Sequence, residues 1–181
     1  MFAIFRLMVV IGLFLQPVSA GAKSKKPIRL IEGTTVEQQF VSAIAARALT
    51  KAGFKFEMLA IADLAALEAL KSGAAHAHFS MTNSADLEMS IKNGDVRSLG
   101  GLADNGRDSA VLKIVAASMK KKWPDAQKLF KRMVFSPDTL SAPVAEVRAG
   151  KPLVDVSAAW FTANSKIWNP WIAASKNWMK P

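Results

Sequence analysis

The sequence predicts an α/β protein with a mainly parallel sheet, flanking helices and a helical C-terminal region. Two observations lead to this prediction. Through residue 99, short apolar stretches alternate with helical segments, which is the order expected for βαβ units. Beyond residue 108, apolar residues recur at helical spacing, so further helices are expected to pack on the sheet and complete a single lobe.

Four short apolar stretches, each bounded by glycine or polar turn residues, predict the strands. They cover residues 27–31, 54–59, 75–79 and 96–99. The segment 100–108 is rich in Gly, Asp and Asn and predicts a loop or a junction, where the alternation of strands and helices stops.

Capping residues and glycines bound the helices between these strands. Thr34 with Glu37 and Thr35 with Gln38 both have the spacing of a capping box, in which each side chain bonds the main chain of the other residue. Asp63 is expected to be the N-cap of the second helix. Glycine supplies the left-handed position that ends a helix. The three helices are therefore predicted over residues 35–53, 63–73 and 84–94.

The second half of the chain is predicted to contain helices only. Residues 110–122 are interpreted as one helix, Pro124 suits the first turn of the next, and Ser136 begins a third. Pro143 is expected to break that third segment in two, because a proline inside a helix costs about 3 kcal/mol. The last two helices are expected to bury core residues at helical spacing: Val156, Trp160, Ile167, Trp168, Trp171, Ala174 and Trp178. The alternative for the Trp residues is that they stack on a ligand.

Residues 1–20 have the features of a cleaved signal peptide. Arg6 is their only charged residue, residues 7–15 are apolar, and small residues precede a cleavage position after Ala20. The apolar run is shorter than the roughly 20 residues that span a bilayer, and a retained N-terminal anchor is the alternative. We therefore expect an exported, periplasmic protein in which residues 21–181 form one domain. The sequence contains no cysteine, so neither a disulfide nor a lipid anchor is expected.

The formal net charge of +10 favours contact with anionic partners. The basic residues are nevertheless scattered, and aromatic residues do not alternate with them, as a surface for stacking nucleic-acid bases would require. No nucleic-acid partner is therefore predicted. The charge is interpreted as solvated, or as attracted to the anionic cell envelope.

Polar residues follow two predicted strands at the point where each strand ends. In an open α/β sheet, ligands bind outside the carboxyl ends of the strands, and both segments are expected there. The alternative is that these residues only cap helices and form turns, for which Ser, Thr and Asn are common. The predicted ligand-binding residues are Glu32, Thr34, Thr35, Ser80, Met81, Thr82 and Asn83.

Other kinds of chemistry have little support in the sequence. His76 and His78 could place two imidazoles on one face of a strand, with Met81 nearby, but a third strong metal ligand is missing. The sequence has no Gly-x-Ser-x-Gly elbow, no phosphate loop and no dinucleotide fingerprint. No metal, no cofactor and no enzyme activity are therefore predicted.

Two parts of the chain carry a family resemblance. One is the C-terminal series 123–130, 145–151, 158–161 and 167–171, which includes Trp123, Trp160, Trp168 and Trp171; the other is the stretch 76–96. Their order and spacing resemble the substrate-binding proteins of ABC importers for glycine betaine, choline and related quaternary amines. The resemblance implies a lobe of the type II periplasmic-binding-protein fold. It also implies a small solute as ligand and an ABC permease in the inner membrane as partner.

The chain departs from the family pattern at two points. In the family, the loop after the third strand usually carries a Trp, and here Ser80 and Met81 stand there. The family also crosses into a second α/β lobe, which this chain is expected to lack, so that a dimer or a partner would complete the half-site. These departures motivate an alternative function, a cationic periplasmic interaction protein derived from such a lobe that no longer binds or transports a small solute.

Overall fold

A five-stranded sheet forms the centre of the protein. The computed structural model describes residues 26–104, 106 and 109–175. The strands are β1 (Ile28–Ile31), β2 (Phe56–Leu59), β3 (Ala77–Thr82), β4 (Val96–Gly101) and β5 (Val111–Ala116). Their order across the sheet is β2-β1-β3-β5-β4.

Helices flank the sheet on both sides. Three lie between the first four strands: α1 (Val36–Lys51), α2 (Asp63–Lys71) and α3 (Ala85–Asn93). Five follow the last strand: α4 (Met119–Lys122), α5 (Pro124–Arg132), α6 (Pro137–Arg148), α7 (Leu153–Ala163) and α8 (Ser165–Ser175). Within the described ranges, no helix is long and apolar enough to cross a membrane. The predicted signal peptide lies outside these ranges.

The strand directions confirm the predicted α/β class. Strand β1 pairs in parallel with both β2 and β3, whereas β5 pairs antiparallel with β3 and with β4. Four of the five strands therefore run in the same direction, and β5 is the reversed one in the described sheet.

The prediction of a helix over residues 110–122 was wrong for its first half. Residues Val111–Ala116 form β5, and only the short helix α4 follows. The strand lies between β3 and β4, so both of its edges are paired, and residues 112–116 are buried. The apolar run is interrupted only by Lys113 and shows no two-residue alternation, so its pattern could not distinguish a buried strand from a buried helix.

The prediction that Pro143 breaks its helix was also wrong, because α6 continues through it. A proline inside a helix leaves the carbonyl four residues earlier without its usual donor, and that carbonyl belongs to Thr139. The indole Nε1–H of Trp160, on α7, donates to this Thr139 oxygen at 3.0 Å. A side chain from the neighbouring helix thus replaces the main-chain hydrogen bond that Pro143 removes.

Aromatic rings hold the C-terminal helices against the sheet. Phe130 of α5 packs edge-on against Phe79 of β3, with ring centroids 4.8 Å apart. The Trp171 ring lies 5.2 Å from the Phe135 ring and 6.5 Å from the Trp160 ring. The predicted core role is confirmed for Trp160 and Trp171, which are buried. Trp178 lies outside the described residues.

The replacement of the Pro143 hydrogen bond can be tested with a double-mutant cycle. Trp160→Phe keeps a ring but removes the indole N–H, so it is expected to cost about 1–3 kcal/mol of unfolding free energy by leaving the Thr139 carbonyl unpaired. In the Pro143→Ala background the main chain regains a donor for this carbonyl, and the same substitution should cost less. Urea unfolding measures both costs, and equal costs in the two backgrounds would contradict the compensation.

Candidate functional site

The amino ends of three helices meet the carboxyl ends of β1, β2 and β3 at one edge of the sheet. Thr35 is the N-cap of α1 and Ser84 the N-cap of α3, and each side chain accepts a main-chain hydrogen bond. The N-cap of α2 is Ala62, so the prediction that Asp63 caps this helix was wrong by one position. Asp63 is instead an acidic residue in the first turn of α2.

The side chain of Gln38 connects the first turn to the third strand. Its Oε1 accepts hydrogen bonds from the main-chain N–H groups of Thr34 at 2.7 Å and Thr35 at 2.8 Å. Its Nε2 donates to the carbonyl oxygen of Ser80 at 3.2 Å. The predicted capping box of Thr35 and Gln38 is confirmed. The same amide also holds β3 against the start of α1.

A β-bulge shapes the end of β3. His78 pairs with Ile114 and Met81 with Leu112, so Phe79 and Ser80 together lie opposite the single residue Lys113 of β5. The main-chain N–H of Ser80 donates to Nδ1 of His78 at 3.1 Å. The imidazole thus provides a partner for a main-chain donor within the bulge.

The polar side chains of Thr34, Asp63 and His78 lie close together between β3 and α2. The Thr34 hydroxyl donates to Oδ2 of Asp63 at 2.8 Å, and Nε2 of His78 lies 4.0 Å from Oδ1 of Asp63. Burial lowers the pKa of His78 to about 4, although the nearby Asp63 acts in the opposite direction. His78 is therefore neutral at pH 7 and does not compensate the charge of Asp63.

Asp63 and His78 line a cleft, which we call the edge cleft, of about 280 Å³. Ser80 is only 8% exposed, and its hydroxyl has no hydrogen-bond partner within the described part of the chain. Leu64, which is fully exposed, lies at the rim. The polar residues that line the cleft include Gln38, Asp63, His78, Ser80, Thr82 and Asp86.

The structure brings most of the predicted ligand-binding residues to this cleft. Ser80, Met81 and Thr82 line it directly. Thr34 and Thr35 hydrogen-bond to its walls, through Asp63 and Gln38 respectively.

The other two predicted residues lie elsewhere. Glu32 lines a separate groove of about 650 Å³ between α1, β2 and α7. Asn83 donates to Oε1 of Glu88 at 3.1 Å and lines a cavity beside α3 and β4. Sequence position placed both residues next to strand ends, but it did not show which way their side chains point.

Sequence reasoning missed five polar residues of the edge cleft as ligand-binding candidates: Gln38, Asp63, His78, Ser84 and Asp86. Gln38 and Asp63 were visible in the sequence, but only as capping residues. The two-residue spacing of His78 and Ser80 was a usable signal, because alternate residues of a strand share a face.

The two histidines occupy different surroundings. Nδ1 of His76 accepts a hydrogen bond from the main-chain N–H of Arg29 at 2.9 Å, and its ring lies 4.5 Å from that of Trp123. The strand begins only at Ala77, so the expected shared face of His76 and His78 depended on a strand that started too early. Within the described residues, no group of three or more His, Cys, Asp or Glu side chains could hold a metal ion.

Comparison with known proteins identifies the fold. No family model and no curated protein matches the chain. Among solved structures, it is similar to lactococcal OpuAC in its closed-liganded conformation complexed with glycine betaine. The identity is 11% and the TM-score 0.70, covering 82% of this chain and 100% of that chain.

Two further structures support the same conclusion. An ABC-transporter choline-binding protein in complex with choline is 11% identical with a TM-score of 0.70, covering 85% of this chain and 98% of that chain. The glycine betaine/L-proline-binding protein ProX from Borrelia burgdorferi is 8% identical with a TM-score of 0.69, covering 83% and 100% respectively. The chain therefore has the fold of a periplasmic-binding-protein lobe, as its resemblance to this family implied.

The position of the Gln38 side chain can be tested by substituting Gly33. Gly33 and Gly53 both have positive φ, so Ala at either position should cost about 1–2 kcal/mol. A Cβ at Gly33 would also collide with the Gln38 side chain, whereas one at Gly53 meets nothing within 4 Å. Gly33→Ala is therefore expected to lower the melting temperature more than Gly53→Ala. Equal losses would mean that Gln38 moves aside without consequence.

Burial of His78 predicts a specific pH dependence of stability. Its pKa is about 4 in the folded protein and ordinarily 6.5, so the unfolded state binds more protons between these values. Stability should therefore be complete above pH 6.5 and fall as the pH drops toward 4. His78→Asn keeps an acceptor near the Ser80 N–H but does not titrate, so it should lose less stability over this range. Urea unfolding at several pH values measures the slope, and an unchanged slope would contradict the assignment.

Proposed function

We propose that the protein is an exported solute-binding component of an ABC importer for glycine betaine, choline or a related osmoprotectant. The fold supports this proposal, since the similar solved structures include proteins complexed with glycine betaine and with choline. In this function the permease is the membrane partner, and the solute reaches it from the periplasm.

The observation that carries the proposal is the unpartnered hydroxyl of Ser80 in the edge cleft. Buried polar groups are almost always hydrogen-bonded, and leaving one unpaired costs about 1–3 kcal/mol. Ser80 lies at the carboxyl end of β3, on the side of an α/β sheet where ligands bind. A solute in the cleft would supply the missing partner.

The edge cleft would cover a solute on one side only. Small-molecule sites bury about 70–90% of a ligand, so a second wall is needed for tight binding. The fully exposed Leu64 at the rim is an apolar surface that such a wall would cover. We propose that a second copy of the chain or a partner supplies it.

The alternative function is that of a cationic interaction protein of the periplasm. The observation that favours it is the exposed run of Lys120, Lys121 and Lys122 in α4, in a chain of net charge +10. Such a surface would attract anionic lipid or envelope polymers without requiring a solute. Attraction of this kind weakens as salt screens the charges.

Titration calorimetry separates the two functions. The solutes are glycine betaine, choline, carnitine and their counterparts without N-methyl groups. We expect binding of at least one solute, weaker than micromolar because the cleft is open. Thr34→Ala should weaken that binding about two- to tenfold. Thr162→Ala, on α7, is the matched control.

A different result would contradict solute transport. If no solute produces binding heat at millimolar concentration, and the protein binds anionic vesicles in a salt-sensitive manner, the interaction function replaces solute transport. N-terminal sequencing of the protein from a periplasmic fraction tests export separately, and an intact residue 1–20 segment would contradict cleavage.

A further inference from the structure

The edge cleft is negatively charged in a positively charged protein. Asp63 and Asp86 both line it, and none of its lining residues is Lys or Arg. The chain as a whole carries a net charge of +10. The charge of the cleft is therefore opposite to that of the whole molecule, and it would attract a cationic ligand.

The charge of Asp63 has no cationic partner within ion-pair distance among the described residues. Its closest titratable neighbour is the neutral His78, at 4.0 Å. Its Oδ2 accepts a hydrogen bond from the Thr34 hydroxyl, which orients the carboxylate but does not neutralise it. The side chain is 51% exposed, so an incoming ligand can reach it.

A second, independent observation comes from Ser80. Ser80 lines the same cleft. Its hydroxyl is buried and has no hydrogen-bond partner within the described part of the chain. A hydroxyl oxygen can accept a hydrogen bond from a ligand N–H. The cleft thus combines carboxylate oxygens with an unused acceptor.

The cleft lacks the groups that would select a fully methylated nitrogen. A quaternary ammonium cannot donate hydrogen bonds and is recognised by the faces of Trp, Tyr or Phe rings. None of these rings lines the edge cleft. A nitrogen that carries hydrogens can instead form charge-assisted hydrogen bonds to the carboxylates.

We propose that the edge cleft selects a small cation whose nitrogen carries hydrogens, a primary or secondary ammonium, in preference to a quaternary one. Asp63 and Asp86 supply the opposite charge, and Ser80 Oγ accepts one N–H. This inference rests on the proposed solute-binding function and narrows its ligand.

The test uses two matched pairs of solutes that differ only in N-methylation, ethanolamine with choline and glycine with glycine betaine. Calorimetry is expected to show the unmethylated member of at least one pair binding about tenfold more tightly or better, because charge-assisted hydrogen bonds are lost on methylation. The titrations of both pairs of solutes use the full exported chain.

Two variants connect this preference to the cleft. Asp63→Asn should weaken binding of the unmethylated solute about ten- to hundredfold. Asp138→Asn, which removes a carboxylate from the first turn of α6, is the matched control and should leave binding unchanged. Ser80→Ala should weaken binding about two- to tenfold without lowering the melting temperature, because it removes an unpaired buried hydroxyl.

The possible outcomes separate the two proposals. Tighter binding of choline and glycine betaine than of their counterparts overturns this inference and leaves the solute-binding function intact. Binding of the unmethylated solute that Asp63→Asn and Ser80→Ala do not affect places the site elsewhere and also overturns it. If none of the four solutes binds at millimolar concentration, both proposals fail.

Discussion

The pairing of β5 with two bulged neighbours is the constraint on which the functional edge depends. Phe79 and Ser80 of β3 lie opposite Lys113, and so do Leu99 and Gly100 of β4. In each bulge, one main-chain N–H donates to the side chain two residues earlier. The N–H of Ser80 donates to His78, and the N–H of Gly100 donates to Ser98. The bulge in β3 lies where Ser80 enters the edge cleft. Bulges often redirect side chains next to functional sites in this way.

A common principle explains several of the unusual features. Where local structure leaves a main-chain group without its usual partner, a side chain from another element supplies one. Trp160 does this for the carbonyl freed by Pro143, and Lys113 donates to the carbonyl of Met133 at 2.6 Å from within the sheet. Burial lowers the pKa of Lys113 to about 8, so these interactions have to support a desolvated charge. No such compensation reaches four buried side-chain oxygens of the described residues: Ser80 Oγ, Asn83 Oδ1, Ser118 Oγ and Gln127 Oε1.

The fold and the proposed ligand preference depend on different parts of the molecule. The sheet order and the C-terminal aromatic core give the chain the architecture it shares with binding proteins complexed with glycine betaine or choline. The side chains of the edge cleft vary independently of that architecture, since a lobe of this fold can carry different polar groups at its strand ends. The anionic lining, which has no Trp, Tyr or Phe, is therefore a property of this chain's own residues.

Local sequence signals determined much of the secondary structure of this protein. The Thr35–Gln38 capping box, the four strands of the first half and the glycines at helix ends were predictable, because each depends on neighbours within a few residues. Strand β5 was not, since its nearly continuous apolar run fits a buried strand and a buried helix equally, and only the pairing with β3 and β4 decides between them. The passage of α6 through Pro143 required the indole of Trp160, which comes from another helix. Likewise, Asp63 meets Thr34 and His78 only after β1, β3 and α2 assemble, and the same assembly turns Glu32 and Asn83 away from the edge cleft. Contacts between residues far apart in sequence leave no local pattern, so only the tertiary structure decided them.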